Sequence, residues 1–460
     1  MHVVPCCRPP GNAGVVTLAR KIAPVLASVF TSPRTRDARR WLVEQRRRLS
    51  NDRHRVQYFH QADDPYSHLA AQVLHDLATR YDIRIEPYLV GPPPDAAAPD
   101  RQRLEWFSRK DAADIAPAYG LKFPPSAAFG DNAAPAAAPL LEQASRLLAG
   151  AIVTGRFVDV AASIGQALWD GDQRALEELA FTLPPSGATA TRTAIEEGNA
   201  LRERLGHYLG ATFHYGGEWY WGVDRLEHLE QRLKAAGAAR GKTARPIVAR
   251  PDFSERLAVD GARRLTLEFY LSLRSPYTYI AMERVYALPG RYPVNLVLRP
   301  LLPMVMRGLP IPRAKRIYIT LDTKREAEDI GVPFGRVCDP VGRPVERGFS
   351  LFPWARERGR AKEFLLSFAR AAFAEGVDAG EDAGMQHVVE ASGLSWAEAR
   401  QHLDREGWRD ELEQNRQQLL AMGLWGVPSF RLIGGGEPDF CTWGQDRLWL
   451  VEQQIRSRLL

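Results

Sequence analysis

Residues 56–74 read VQYFHQADDPYSHLAAQVL and residues 267–285 read LEFYLSLRSPYTYIAMERV. Laid over one another, they bring Pro65 onto Pro276 and Tyr66 onto Tyr277. In each, an apolar, aromatic-rich run (56–59 and 265–273) has the character of a buried strand. A proline then opens a stretch with helical spacing. Proline suits the first helical position, because its missing N–H would have no intrahelical partner and its φ is already near the helical value. Each segment therefore predicts strand, sharp turn and helix.

A second pair of segments extends the match. YWGVDRLEHLEQRL at 220–233 lies over TWGQDRLWLVEQQI at 442–455, with Trp, Gly, Asp, Arg and Leu in step. Self-similarity over two separated landmarks predicts two copies of one domain. The copies span 51–236 and 263–460, behind an N-terminal helical extension at 1–50 and joined by a linker at 237–262. The second copy is the longer between its landmarks. The linker has the Gly, Ala, Pro and basic character of exposed chain, and the Ala/Pro-rich run at 124–139 reads as a surface loop. In the second copy, helical stretches at 360–375 and 395–420 precede the strand signals SFRLI and PDFCTW and a closing helix at 446–458.

The composition narrows the function classes. At 460 residues the chain exceeds what one core usually serves, with 45% apolar and 25% charged residues. No stretch approaches the ~20 apolar residues of a membrane-crossing helix, and no export signal is recognisable. No membrane partner and a cytoplasmic location are expected. The net charge of +6 and the arginine-dense segment 34–55 raise nucleic acid as a partner. Acidic residues nearly balance the basic ones, 55 against 61, and no basic run is interleaved with aromatics, so none is expected. Cys6, Cys7, Cys338 and Cys441 have neither the spacing of a redox dithiol nor that of a zinc site. Four free thiols and no metal are expected.

The second copy resembles the 2-hydroxychromene-2-carboxylate isomerase and kappa-class glutathione transferase family, part of the DsbA-type thioredoxin superfamily. The resemblance rests on Ser275-Pro276-Tyr277, the Pro300 region, Lys315 with Tyr318 and Asp322, residues 331–334 and 373–378, Gly426 to Phe430, and Trp443 to Arg447. It implies an α/β fold of two tandem thioredoxin-like domains of DsbA/kappa type, each with a helical insertion. It also implies a glutathione-dependent isomerase or transferase acting on a small, aromatic-derived electrophile, with glutathione not tightly bound.

On this resemblance Ser275 stands where the disulfide-forming relatives carry their attacking cysteine. A hydroxyl there forms no mixed disulfide, but it donates a hydrogen bond to a glutathione thiolate at a helix end that favours negative charge. Such stabilisation lowers the thiol's pKa. Arg274 adds favourable charge if it points inward. Val427 and Pro428, the latter through a cis bond, would offer backbone groups to the extended glutathione peptide. Asp446 and Gln445 would meet its γ-glutamyl end, and Lys315 its glycyl carboxylate. Tyr277, Tyr318 and Trp425, with Phe352 and Trp354, would form an apolar substrate pocket. The resemblance further implies intramolecular pairing of the two repeats and leaves a homodimer open.

Local readings of the same residues stand beside these. Ser275 before a helix with proline at its first position is also a helix cap, Asp446 suits the cap of the last helix, and every aromatic named also suits a core. The first copy departs where it matters. Asp64, preceded by Asp63, replaces Ser275 and would repel a thiolate, and Ala211 replaces Pro428. His60, His68, His207 and His214 fall near these positions, where a metal site is the sharper reading and packed histidines the plainer one. Two rival functions remain: an oxidoreductase-like protein of the DsbA family without a redox dithiol, and a non-catalytic tandem binding protein.

Overall fold

The computed structural model describes residues 13–125, 138–241, 245–253 and 265–460, with side chains described from residue 22 onward. Most of the Ala/Pro-rich run, parts of the linker, and Cys6 and Cys7 lie outside the described residues.

The chain is mixed α/β with two four-stranded sheets. In the first, β1 (His54–His60) pairs in parallel with β2 (Ile83–Leu89) and antiparallel with β3 (Thr212–Tyr215), which pairs with β4 (Glu218–Trp221). In the second, β5 (Leu265–Leu271), β6 (Val294–Pro300), β7 (Ser429–Gly434) and β8 (Glu437–Trp443) repeat that arrangement. The orders are β2-β1-β3-β4 and β6-β5-β7-β8. The inner strands β1 and β5 are almost wholly buried, as parallel strands covered on both faces must be. Registers correspond too: Phe59 faces Thr212 and Tyr270 faces Ser429, so Ala211 and Pro428 occupy matching places.

Both prolines open helices as predicted, Pro65–Ala71 and Pro276–Arg291, behind Asp64 and Ser275 as caps. The helical insertions lie between β2 and β3 and between β6 and β7. The stretch at 395–420 is not one helix. It breaks into Trp396–Ala399 and Trp408–Ala421 around Asp404 and Gly407, whose positive φ values (58° and 83°) no continuing helix accommodates. The stretch at 360–375 is α-helical only over Ala361–Arg370 and ends in a π turn, Ala371–Glu375.

Each unit has its own apolar core. Two smaller clusters cross between them, one joining Phe107 to Tyr270, Leu301 and Trp425, the other joining Phe59 and Trp219 to Tyr318. The N-terminal helices Ala13–Phe30 and Pro33–Leu49 reach both units. Thr31 donates to the Gly335 carbonyl and Arg36 pairs with Glu328 on the second unit, while Arg40 forks onto Glu218 on the first at 2.5 and 2.6 Å.

Candidate active site between the two units

Between the units lies a cavity of about 280 Å³. One wall is the start of the Pro276–Arg291 helix, with the Gly426–Pro428 segment facing it. The Ser275 hydroxyl caps the helix, accepting from Thr278 N–H at 3.1 Å, and donates toward the Val427 carbonyl at 3.4 Å. The Val427–Pro428 bond is cis. Gly426 is there for space: a Cβ on it would lie 2.2 Å from the Trp443 ring, which packs against Trp425 at 4.7 Å between centroids. The Ser272 hydroxyl, on a residue only 3% exposed, lines the same cavity with no hydrogen-bond partner.

The opposite wall comes from the first unit: Ala97, Ala98, Leu104, Phe107, Tyr208 and Trp221. Lys315 is held there, its ammonium donating to the Ala97 carbonyl at 2.7 Å. Burial alone pushes its pKa down to about 8, and no carboxylate neutralises it among the described residues.

The floor is a reciprocal ion-pair lattice. Arg447 of the second unit forks onto Asp111 of the first at 2.8 Å by both contacts, and onto Asp224 at 2.9 Å. Arg225 of the first unit forks onto Asp322 of the second at 2.9–3.0 Å and reaches Asp446 at 2.9 Å. Tyrosines complete the correspondence, Tyr66 donating to Asp111 at 2.8 Å and Tyr277 to Asp322 at 2.7 Å. Gly222 and Gly444 turn the chain into the two Asp-Arg pairs with φ of 64° and 122°, a region that favours glycine. All four carboxylates are buried or nearly so; Asp111, Asp224 and Asp322 are each matched by a guanidinium fork, the geometry that offsets desolvation best, and Asp446 by a single hydrogen-bond contact. Burial works against ionisation of Asp446, but Arg447, Arg225 and Arg250 outweigh it and hold the carboxyl below its usual range.

Nine of the residues proposed from sequence line this cavity: Ser275, Val427, Pro428, Gln445, Asp446, Lys315, Tyr277, Tyr318 and Trp425. Their side chains differ in what they leave open. Gln445 is 2% exposed, with its amide engaged by Glu326 at 2.7 Å and Arg284 at 2.6 Å. Tyr318 is 7% exposed and its hydroxyl has no hydrogen-bond partner among the described residues. Arg274 is turned to Asp339 at 2.6 Å, so the inward charge expected of it is already paired. Phe352 and Trp354 are packed in the second unit's own core, away from the cavity, a correction to the expected pocket. The first unit's contribution to the cavity escaped the sequence reading. One signal was present, since Asp111 precedes Asp322 by the same interval that separates Pro65 from Pro276.

At the matching place in the first unit the polar groups bond to one another. Asp64 accepts from Tyr66 N–H, Ser67 N–H and the Ser67 hydroxyl, and that hydroxyl accepts from Ala211 N–H at 2.9 Å and Gln61 N–H at 3.1 Å. Burial, with Asp63 adding to it, pushes the Asp64 carboxyl up to about 6. Ala211 takes a φ of 52° where Pro428 has its cis bond. Among the described residues no three His, Cys, Asp or Glu side chains cluster as a metal site. His60, His207 and His214 are packed against aromatic rings, and burial pushes each down to about 3 or 4. Cys338 and Cys441 form no disulfide, and burial raises the Cys441 thiol to about 11.

Residues 266–456 form a DSBA-like thioredoxin domain. No curated protein matches the chain by sequence. Among solved structures, the chain is similar to a 2-hydroxychromene-2-carboxylate isomerase at 20% identity, covering 42% of this chain and 95% of that one with a TM-score of 0.35. The cytosolic disulfide reductase DsbM from Pseudomonas aeruginosa is similar at 21% identity, over 42% of this chain and 100% of that one, with a TM-score of 0.32. No helix among the described residues is long and apolar enough to cross a membrane.

Proposed function

We propose that the DSBA-like domain binds glutathione in the cavity between the units and uses it as a borrowed nucleophile toward a small electrophile, as a glutathione-dependent isomerase or transferase. The observation that carries this reading is the Ser275 hydroxyl, at a helix amino end, 3.4 Å from the carbonyl of the cis Val427–Pro428 bond and opening on a cavity. The hydroxyl donates to the glutathione sulfur and favours its thiolate, helped by the helix end. Val427 pairs with the peptide backbone of glutathione, Lys315 meets its glycyl carboxylate, and Asp446 its amino group. The thiolate adds to an electrophilic carbon of the substrate. The adduct then isomerises and expels the thiolate, or leaves as the conjugate. Tyr277, Tyr318 and Trp425 face the substrate together with the first unit, which we read as a second, degenerate copy of the domain that has become a wall.

Calorimetry with glutathione, paired with ultraviolet absorbance of the thiolate, tests the reading. Binding at millimolar glutathione or below, with a thiolate band that disappears in Ser275→Ala, is expected. No heat of binding would leave a non-catalytic binding protein as the better reading. Because Lys315 titrates near 8, affinity should fall as the pH rises through that value and its cation is lost. A thiol–disulfide oxidoreductase is disfavoured because neither helix tip carries sulfur, the caps being Asp64 and Ser275. Catalytic acceleration of insulin reduction by dithiothreitol would overturn that exclusion.

A further inference from the structure

A second cavity, of about 670 Å³, lies where the Pro33–Leu49 helix, the β3–β4 hairpin and the Arg313–Asp329 helix meet. Seven basic side chains line it against two carboxylates, Glu218 and Asp322. Four of the seven are already matched. Arg40 and Arg325 are drawn to Glu218, and Arg36 and Lys324 to Glu328 beside the cavity.

Arg39, Arg46 and Arg313 have no carboxylate partner among the described residues. Two stand on the N-terminal helix and one on the second unit, so chain connectivity alone does not bring them together. Arg313 also opens a 17-residue helix that has no side-chain cap, so the first N–H groups of that helix remain available beside it. Phe30, Leu42 and Ile317 add an apolar side to the same space. Unpaired guanidiniums next to an uncapped helix start recognise phosphate, through forked hydrogen bonds and the helix dipole.

We propose that this cavity is a binding site for a phosphorylated small molecule of nucleotide size, its phosphates held by Arg39, Arg46 and Arg313 and its body lying along the apolar side. The volume falls within the range of small-molecule pockets. A nucleic-acid strand is the poorer fit, because no run of aromatics offers stacking. The site is distinct from the proposed glutathione cavity, the two linings sharing Tyr318, and its ligand would hold the N-terminal helix, the first unit and the second unit together.

Calorimetry and thermal unfolding of the full chain with ATP, with inorganic pyrophosphate, and with a short single-stranded oligonucleotide test the proposal. ATP or pyrophosphate should bind and raise the melting temperature. Arg39→Gln, Arg46→Gln and Arg313→Gln should each weaken that binding about tenfold, as loss of one forked contact does. Affinity should fall with added salt. Arg48→Gln, on the same helix but outside the cavity, and Ser275→Ala should leave it unchanged. Circular dichroism confirms that each variant is folded. The proposal is overturned if neither phosphate compound binds, if binding survives the three arginine substitutions, or if the oligonucleotide alone binds.

Discussion

The helix at 65–71 and the helix at 276–291 start alike, each with proline first and a capping oxygen before it, yet one cap is tied into bonds within its own unit and the other lines a cavity. At the first, the Ser67 hydroxyl accepts from the N–H groups of Ala211 and Gln61 and donates a hydrogen bond to Asp64. At the second, Ser275 has one short internal contact and a longer one to Val427. The same local geometry thus serves as structure in one unit and as a candidate site in the other. What separates them is whether the neighbouring polar groups are satisfied from within.

The largest effect that sharpens this comparison comes from the lattice joining the units. Arg447→Met leaves Asp111 and Asp224 buried with no other cation within ion-pair distance, and should cost about 3–5 kcal/mol in chemical denaturation. Arg225→Met should cost less, because Asp322 keeps Arg325 at 3.4 Å and Glu326 keeps Arg250 at 3.1 Å. Equal losses would show that the two halves of the lattice are more alike than their partners suggest.

Asp64→Asn comes next. The folded carboxyl titrates near 6 against an ordinary 3.8, so the folded state binds the proton more tightly. Wild-type stability is therefore reduced as pH rises from about 4 to 6, and the reduction persists above that window. The amide keeps an acceptor for the helix cap and carries no charge. The variant should gain about 1–2 kcal/mol at pH 8 and nothing below pH 4, read from denaturation at both pH values. A gain that is independent of pH would sink the assignment of Asp64 as a strained carboxylate.

Ser275→Ala should lose about 1 kcal/mol of stability, the ordinary worth of a helix cap. If the reading of the open tip is right, it also removes the glutathione thiolate band, which a purely structural cap would not affect. Ser272→Ala should be the smallest change, within about 0.5 kcal/mol in the free protein, since its hydroxyl has no partner to lose. A weaker affinity for glutathione or substrate in that variant would enlarge the open tip by one residue.

Much of this architecture was legible because it is written in short-range signals. Pro65 and Pro276, the caps before them, the strands before those and the repeated Asp-Arg pairs all act within a few residues. The break at 400–407 was missed because apolar spacing resumes on either side of it and outweighs one glycine in a linear reading. Phe352 and Trp354 were assigned to the pocket on residue type alone, and residue type does not distinguish a cavity wall from a core. Gln445 lines the cavity, but its engagement by Glu326 and Arg284 depends on residues more than 100 positions away.

The order of elements, the repeated strand–proline–helix opening and the absence of sulfur at either helix tip follow from the sequence by itself, since each rests on local backbone and side-chain preferences. Tertiary structure alone decided that the units meet through Arg225 and Arg447, that the first unit walls the cavity of the second, and that Arg39 and Arg46 come to line one cavity with Arg313. Those relations join residues hundreds of positions apart. They arise from the burial of surfaces and the pairing of charges removed from water, and no short window of sequence carries them.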